Sequence, residues 1–211
     1  MKQLIYKELN LSINRFFFLL PILLGLLMFI PNWIFSLVFM YFFWISMPQI
    51  FAGYIGQQDN SFTMMLPVSK KEIVLSKIYS IIILEAIHFI MGVLFGIIHV
   101  WIYGTFNFFF DVNIAFFGLM IIMYALFNMI FFPAFFKTGY YFGKPVIFGV
   151  IATLNFGFII EFGVARFQAV RDIFEGQLST QFMVLIIGVI VAIVMHKITV
   201  KAAVVNYESM T

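Results

Sequence analysis

The 211-residue sequence has no cysteine and few charged residues. Without cysteine it has neither disulfides nor thiol chemistry, and it gives no indication of the redox state of its compartment. Charged residues make up 10% of the chain and hydrophobic residues 64%, whereas soluble domains carry roughly 25% charged residues. Together with a mean hydropathy of +1.10, this composition excludes a water-soluble fold. It predicts one polytopic membrane domain over residues 1–211.

Motifs for nucleotide, nucleic-acid and hydrolytic chemistry are also missing. The nearest approach to a phosphate-binding loop is the segment Gly139–Lys144, GYYFGK. It lacks the four-residue spacer and the Ser/Thr that would hold magnesium, and the following Pro145 has no backbone N–H. No lysine-rich run or aromatic-basic pattern predicts nucleic-acid binding. We therefore expect no catalytic residue, metal or cofactor in this chain, and no nucleic-acid partner.

Long apolar runs, by contrast, recur along the whole chain and predict an all-α integral membrane protein. Six runs are suited to crossing a bilayer: about 16–30, 33–56, 78–103, 114–136, 145–162 and 181–200. The first is short against the roughly 20 residues that a spanning helix needs. In the second, Pro48 removes a backbone hydrogen bond and predicts a kink.

The basic residues are distributed unevenly about these six spans. With a cytoplasmic N-terminus, only Arg166 and Arg171 fall on the outer side. The other ten of the twelve fall on the cytoplasmic side: Lys2, Lys7, Arg15, Lys70, Lys71, Lys77, Lys137, Lys144, Lys197 and Lys201. Because Lys and Arg are retained on the cytoplasmic side during insertion, this distribution predicts a multi-pass protein of the cell membrane with both termini in the cytoplasm.

Two segments outside the spans have amphipathic periodicity. In residues 2–14, Leu4, Ile5, Leu9 and Ile13 share one face while Lys2, Lys7, Glu8 and Asn14 lie largely away from it, which predicts a helix in the cytoplasmic interface. The alternative is a polar leader to the first span. In residues 163–179, apolar and charged positions alternate at helical spacing, which predicts an outer interfacial helix before the last span.

The cytoplasmic loop 57–77 contains the most specific local pattern. Ser69 and Glu72 form a capping box, so a helix begins after Ser69 and runs into the third span. Upstream, Asn60 or Ser61 is predicted to cap a short helix that ends before Pro67. That helix presents apolar side chains outside the bilayer core, at Phe62, Met64, Met65 and Leu66, which indicates a partner surface. The alternative is an ordinary interfacial loop.

Residues Met65–Lys77, MLPVSKKEIVLSK, resemble the LPVSRKEIVLSK signature of ABC-2-type permeases, the membrane subunits of bacterial ABC exporters. The family's order of interfacial helix, spans, cytoplasmic loop and outer segment covers essentially the whole chain, although the first span is short for it. In the family, this loop carries the coupling helix, which docks on a separate ATPase that binds ATP and Mg. The resemblance implies a docking set of Asn60, Ser61, Phe62, Met64, Met65, Leu66, Pro67, Ser69, Lys70, Lys71 and Glu72.

The third span holds a row of polar and small residues. Glu85, His88, Gly92, Gly96 and His99 follow steps of three and four, so they share one helix face. The glycines allow close approach of another helix, and Glu85 and His88 are spaced to form a hydrogen-bonded pair. The row either lines a translocation path or joins helices by polar contacts. Asn155 in the fifth span has the same two interpretations.

The function predicted from these features is that of a permease subunit of an ATP-driven exporter. Six spans make half a pathway, so a second permease copy or related permease and two ATPase subunits are expected as partners, besides the lipid bilayer. The Phe- and Met-rich composition suits an amphipathic peptide or hydrophobic cargo, as in permeases of the phenol-soluble modulin exporter kind or of antimicrobial-peptide resistance. An intramembrane enzyme and a non-transporting anchor or sensor subunit are the alternatives.

Overall fold

The computed structural model describes residues 1–104 and 107–210, without the side chains of Leu11 and Ser12. Its helices are α1 (Lys2–Lys7), α2 (Phe16–Gly25), α3 (Ser36–Tyr41), α4 (Met47–Gly56), α5 (Asp59–Met64), α6 (Lys70–Tyr103), α7 (Ile114–Lys137), α8 (Gly143–Arg166), α9 (Gln168–Phe174) and α10 (Leu178–Met210). The described residues form no strand, so the predicted all-α class is confirmed. Thr105 and Phe106 of the predicted outer loop, and Thr211 of the tail, lie outside the description.

Among the described residues, five helical stretches are long and apolar enough to cross a membrane: Ser36–Gly56, Lys70–Tyr103, Ile114–Lys137, Gly143–Arg166 and Leu178–Met210. A shorter apolar stretch, Phe16–Phe29, completes the six-span architecture. It consists of α2 and a final 3₁₀ turn, and at helical rises it is about 23 Å long, against about 30 Å of hydrocarbon. The predicted spans fall on these six stretches, and their points of entry into the bilayer stay predictions.

The second span is interrupted where its proline removes a hydrogen bond. A π-turn, Phe42–Ser46, joins α3 to α4, and Pro48 lies in the first turn of α4. Pro48 offers no N–H to the carbonyl of Trp44, one turn earlier, so the regular helical ladder fails there. The sequence predicted a kink at this proline, and the structure has a widened turn on its N-terminal side.

Phenylalanines of α7 form the centre of the bundle, with α8 and α10 packed on either side. Phe127, Phe131 and Phe135 follow one another at four-residue spacing and are wholly buried. The ring of Phe43 stacks on Phe127 at 4.1 Å, and the ring of Phe51 lies 4.6 Å from Phe131. Offset and edge contacts between such rings add to the energy of burying their area.

Helices approach most closely at glycines. A Cβ on Gly118 of α7 would lie 2.7 Å from the Cα of Leu185 in α10. A Cβ on Gly92 of α6 would lie 2.5 Å from the ring of Phe39. At Gly92 the close neighbour is an aromatic ring, so the predicted approach of another helix there stays a prediction, and the α7–α10 crossing at Gly118 was not anticipated. Small residues at these points allow the dispersion contacts that hold membrane helices together.

The loops gather at two ends of the bundle. At the first, which we call the basic end, α1, α5, the start of α6 and the last turns of α10 meet, as contacts between Lys7 and Asp59 and between Tyr207 and Asn60 indicate. At the opposite end, Asn107 donates to the carbonyl of Trp33, and Asn113 donates to that of Phe174. The segments predicted to be cytoplasmic thus meet at one end of the bundle and those predicted to be external at the other.

Candidate functional site

The short helix α5 has one face exposed and one face anchored. Phe62 and Met65 point outward, with 54% and 82% of their surfaces exposed, and Met64 is also exposed. Asp59 and Thr63, one turn apart on the other face, are buried. The side chain of Thr63 donates to the Asp59 carbonyl at 2.7 Å and accepts from Lys7 at 3.2 Å. α5 therefore exposes an apolar face, while hydrogen bonds hold its polar face against the rest of the protein.

The predicted cap of α5 is wrong. The helix begins at Asp59, and the residue before it, Gln58, has a left-handed backbone (φ 50°) with no side-chain capping bond. Asn60 and Ser61 lie inside the first turn instead. The Asn60 side chain has another partner, because its Oδ1 accepts a 3.0 Å hydrogen bond from the Tyr207 hydroxyl of α10. This bond ties the last turns of the final helix to α5.

The capping box at the start of α6 is confirmed. The backbone N–H of Glu72 donates to Ser69 Oγ at 3.3 Å, and the Ser69 N–H donates to the Glu72 carboxylate at 3.1 Å. The hydrogen bonds that the carboxylate accepts from the Ser69 N–H and from the Ser69 hydroxyl lower the pKa of Glu72. The remaining predicted docking residues form a half-exposed to exposed strip beside α5: Leu66, Pro67, Lys70 and Lys71. The predicted docking residues thus lie on α5, on the start of α6 and between them, and their docking role stays a prediction.

Beneath α5 lies a cluster of four charged side chains, which we call the charge cluster: Lys7, Glu8, Asp59 and Lys77. Lys7 Nζ contacts Asp59 at 2.6 Å and Glu8 at 2.9 Å. Lys77 Nζ contacts Glu8 at 3.3 Å and also bonds Asp59. Lys77 and Glu8 have 0% exposure, and the Lys77 ammonium lies 3.7 Å from the ring centroid of Tyr54. Two positive and two negative charges therefore balance in a largely buried site.

The pKa directions of Asp59 and Lys7 reflect this balance. Burial by itself would raise the pKa of Asp59, but the charge of Lys77 and hydrogen bonds from Lys7 and Lys77 outweigh it and lower that pKa. Burial would lower the pKa of Lys7, but its contacts with Asp59 and Glu8 raise it instead. Both groups are therefore held in their charged forms.

Sequence reasoning missed this cluster. It placed Lys7 and Glu8 on the polar face of the N-terminal helix and counted Lys77 only as a topological anchor, yet Glu8 and Lys77 are wholly buried. The signal was available in the spacing. Glu8 follows the buried Leu4 by four residues, and Lys77 precedes Glu85 by eight, so each lies on the inward face of its helix. These charges can be buried because side chains of opposite charge come together from three separate elements. The pattern of a single helix does not predict such contacts.

The polar row of the third span lies on the buried face of α6, as predicted: Glu85, His88, Gly92, Gly96 and His99 are all buried. The pairing of Glu85 with His88, however, is wrong. Glu85 accepts from the Asn128 side-chain nitrogen at 3.0 and 2.8 Å, and His88 Nδ1 lies 2.8 Å from the Tyr124 hydroxyl. Both side chains point to α7, where Tyr124 and Asn128 are also one helical turn apart. The hydrogen bonds therefore run between α6 and α7 and not along α6.

The other two predicted polar residues differ from each other. His99 is buried, with its ring 4.7 Å from that of Phe35. Asn155 is exposed on α8 and donates to the carbonyl of Ile151 on its own helix at 2.8 Å. Within this chain Asn155 therefore does not join two helices, because the inward face of α8 is the one that carries Thr153 and Gly157.

A cavity of about 520 Å³ opens between α6, α7 and α10. We call it the membrane pocket. Its walls are mostly apolar, with Phe89 from α6, Ile121 from α7 and Ile193 from α10. Glu85, Tyr124 and Asn128 supply its polar groups, and His196 and Lys197 line its α10 side. The predicted residue Glu85 thus has both an interhelical partner and a place on a pocket wall.

Glu161 is a second buried carboxylate that the sequence analysis did not single out. It lies in α8 and accepts from the Ser36 hydroxyl at 2.7 Å and from the backbone N–H of Phe110 at 3.0 Å. Each of its two oxygens thus has a separate donor. Glu161 therefore joins α8, α3 and the segment before α7 at the opposite end. Among the described residues, no group of His, Asp and Glu has the arrangement of a metal site.

Comparison with known families gives a match that covers almost the entire chain. The model of a family described as "ABC-2 family transporter protein" matches residues 3–208. Comparisons with curated proteins and with solved structures gave no match. Because the family model covers far more than half of the sequence, the chain belongs to the ABC-2 transporter family and is a membrane permease of an ABC transporter.

Proposed function

We propose that this member of the ABC-2 transporter family is the permease of an exporter in the bacterial cytoplasmic membrane, and that a separate ATPase docks on the exposed face of α5. The observation that carries the docking site is the two-faced character of this helix. Phe62 and Met65 are exposed at the basic end, while Asp59 and Thr63 hold the other face. An exposed apolar surface on an anchored helix is suited to a partner's groove.

The charge cluster connects the proposed docking site to the membrane spans. Asp59 of α5 bonds Lys77, which is part of the same continuous helix as Glu85 in the third span. Asp59 also bonds Lys7 of α1, and Asn60 of α5 bonds Tyr207 of α10. A movement of α5 that follows ATP binding therefore shifts the ends of α1, α6 and α10 together. Such a movement would bias the bundle between inward-open and outward-open states.

The proposed complex contains a second permease copy or related permease and two ATPase subunits, which supply the ATP and Mg sites. The cargo is an amphipathic peptide or another hydrophobic compound, and both termini of the chain face the cytoplasm. Exposed apolar side chains on α8 and α10, such as Phe158 and Ile190, provide area for a second permease and for lipid.

Co-purification tests the dock. The tagged chain is purified from native membranes with its ATPase subunit, as wild type and as a variant with Phe62→Asp and Met65→Asp. We expect the variant to lose the ATPase and to keep its yield in the membrane, because both side chains are exposed. Tyr141→Asp is the matched control, since Tyr141 is an exposed aromatic residue at the same end but outside α5.

Equal recovery of the ATPase with wild type and the α5 variant would contradict docking at α5. A wild-type chain that never recovers an ATPase would instead support the anchor or sensor alternative. Transport of a fluorescent amphipathic peptide into inverted vesicles, driven by ATP, then tests the direction of transport and the cargo class separately from the dock.

A further inference from the structure

The membrane pocket has more hydrogen-bond acceptors than donors on its polar wall. Both oxygens of Glu85 accept from the same nitrogen, Nδ2 of Asn128. The Oδ1 of Asn128 is itself buried and has no hydrogen-bond partner among the described residues. Each of these side chains is more than nine-tenths buried and lines the pocket. In a bilayer, where water is scarce, such acceptors favour any donor that reaches them.

Glu85 also has no cation to balance it. None of the described ion pairs includes Glu85. Lys197 lines the same pocket, but its side chain is exposed and forms no described bond with the carboxylate. By comparison, Asp59 is as buried as Glu85 and contacts two lysines. The pocket wall therefore offers an acidic group that has no cationic partner among the described residues of this chain.

The size of the pocket and its other wall residues indicate which kind of ligand would bind beside Glu85. A volume of about 520 Å³ is the size of a site for a drug-sized molecule. The walls are mainly aliphatic and aromatic, and the rings of Tyr79, Phe89 and Tyr124 are among them. Aromatic faces attract ammonium groups as well as apolar surface. A lipid acyl chain would fill the volume but would satisfy neither Glu85 nor Asn128.

We propose that the membrane pocket binds a drug-sized amphiphile with an apolar body and one ammonium group, and that the ammonium donates to Glu85, whose side chain lines the pocket. The role of this molecule as exported cargo rests on the proposed function. The binding itself requires only the permease chain, because α6, α7 and α10 form the pocket without an ATPase.

Equilibrium binding of a fluorescent probe to the purified full-length chain in lipid nanodiscs tests the proposal. The probe is dansylcadaverine, which has an apolar ring system and one ammonium group. Its N-acetylated form has the same body without the charge, and a dansyl-labelled fatty acid represents the acyl-chain alternative. We expect saturable binding of dansylcadaverine and much weaker binding of the acetylated form.

Two variants locate the site. Glu85→Gln keeps a group of the same shape and removes the charge, and we expect it to weaken dansylcadaverine binding about tenfold or more, since a hydrogen bond to a charged group is lost. Glu161→Gln is the matched control, because Glu161 is a buried carboxylate outside the pocket whose oxygens already have two donors. We expect this control to bind the probe as wild type does.

A pocket-filling variant, Ala192→Phe, provides a readout that does not depend on Glu85, because Ala192 lines the α10 wall. We expect it to reduce binding of the probe as well. Equal affinity of wild type and Glu85→Gln for the probe would overturn the proposal. Tighter binding of the labelled fatty acid than of dansylcadaverine would also overturn it and would assign the pocket to a lipid chain. Neither result would affect ATPase co-purification, which tests the proposed function on its own.

Discussion

The charge cluster at the basic end and the membrane pocket in the middle of the bundle both bury acidic side chains, but they give them different partners. Glu8 and Asp59 each contact two lysines, so four charges sum to zero in the cluster. Glu85 has one neutral amide, Asn128, and open volume beside it. The carboxylates with two cationic partners contribute to the fold, whereas the one without a cationic partner lies at the ligand site that we propose.

Glu161 shows that a neutral environment alone does not create a binding site. It is buried like Glu85 and has only neutral donors, but these come from two separate groups, Ser36 and Phe110. Its two oxygens are therefore used by the fold itself. The difference between Glu85 and Glu161 lies in the number of independent donors and in the presence of a cavity, and the following experiments test this difference.

The largest expected effect comes from breaking the charge cluster. Lys77→Met leaves Glu8 and Asp59 with Lys7 as their only described cation, in a largely buried site. Removing one partner of a buried ion pair costs about 3–5 kcal/mol, so we expect a large fall in the melting temperature of the detergent-solubilised chain. Lys71→Met is the control, because Lys71 is exposed on the same helix. Adding Asp59→Asn to Lys77→Met should recover part of the loss, and a lack of recovery would contradict charge balance as the cause.

A smaller effect is expected in the membrane pocket. Glu85→Ala removes the acceptor of the Asn128 amide and should lower the free energy of unfolding by about 1 kcal/mol, the scale of polar contacts between membrane helices. Glu85→Gln keeps one acceptor and should be close to wild type. Asn155→Ala is a matched control, since Asn155 bonds only its own helix among the described contacts. If Glu85→Ala were as damaging as Lys77→Met, the proposed difference between the two regions would not hold.

The response to pH distinguishes balanced from unbalanced carboxylates outside the spans. The pKa of Asp59 is lowered, so its contribution to stability is present above its ordinary pKa of 3.8 and is lost as the pH falls through the lower folded value. Asp111, at the opposite end, has its pKa raised to about 6 by burial and by the nearby charge of Glu175. The folded chain then holds a proton that the unfolded chain releases, so stability falls as the pH rises from about 4 to 6.

Asp111→Asn therefore should flatten the pH dependence of the melting temperature between about pH 4 and 6 and leave the more acidic transition in place. Because Asp111 is only half-buried, the change in the free energy of unfolding should not exceed the order of 1 kcal/mol. A melting temperature that rises with pH across this window in the wild type, and is flat in Asp111→Asn, would reverse the assigned direction.

The smallest effect on the protein is expected from single cysteines that report its orientation. The absence of native cysteine means that only the introduced thiol is labelled. Ser61→Cys at the basic end should react with an impermeant maleimide only from the cytoplasm, and Gln177→Cys only from outside, both without loss of stability because both positions are exposed. Asn107, although it lies in the predicted outer loop, is unsuitable because it is buried and bonds Trp33 and Phe110. Labelling of Ser61→Cys from outside would invert the predicted topology.

Much of the fold was predictable because its signals are local. The six apolar stretches, the capping box of Ser69 and Glu72, and the buried face of α6 follow from composition and from helical spacing. The docking set, within residues 60–72, came instead from the family resemblance of one segment, and its role stays a prediction. The identity of side-chain partners was not predictable in this way. Glu85 was assigned to His88, its neighbour on the helix, but its partner is Asn128, 43 residues away.

The sequence by itself determined the membrane environment, the helical class and the segments that gather at each end, because hydropathy, helical periodicity and the positions of Lys and Arg act within one stretch of chain. Only the tertiary structure decided which buried charges are neutralised. Lys77 and Glu8 are 69 residues apart, and Glu161 and Ser36 are 125 apart. Whether a carboxylate becomes part of the fold or part of a pocket depends on donors that other helices bring to it, and that arrangement exists only once the helices have packed.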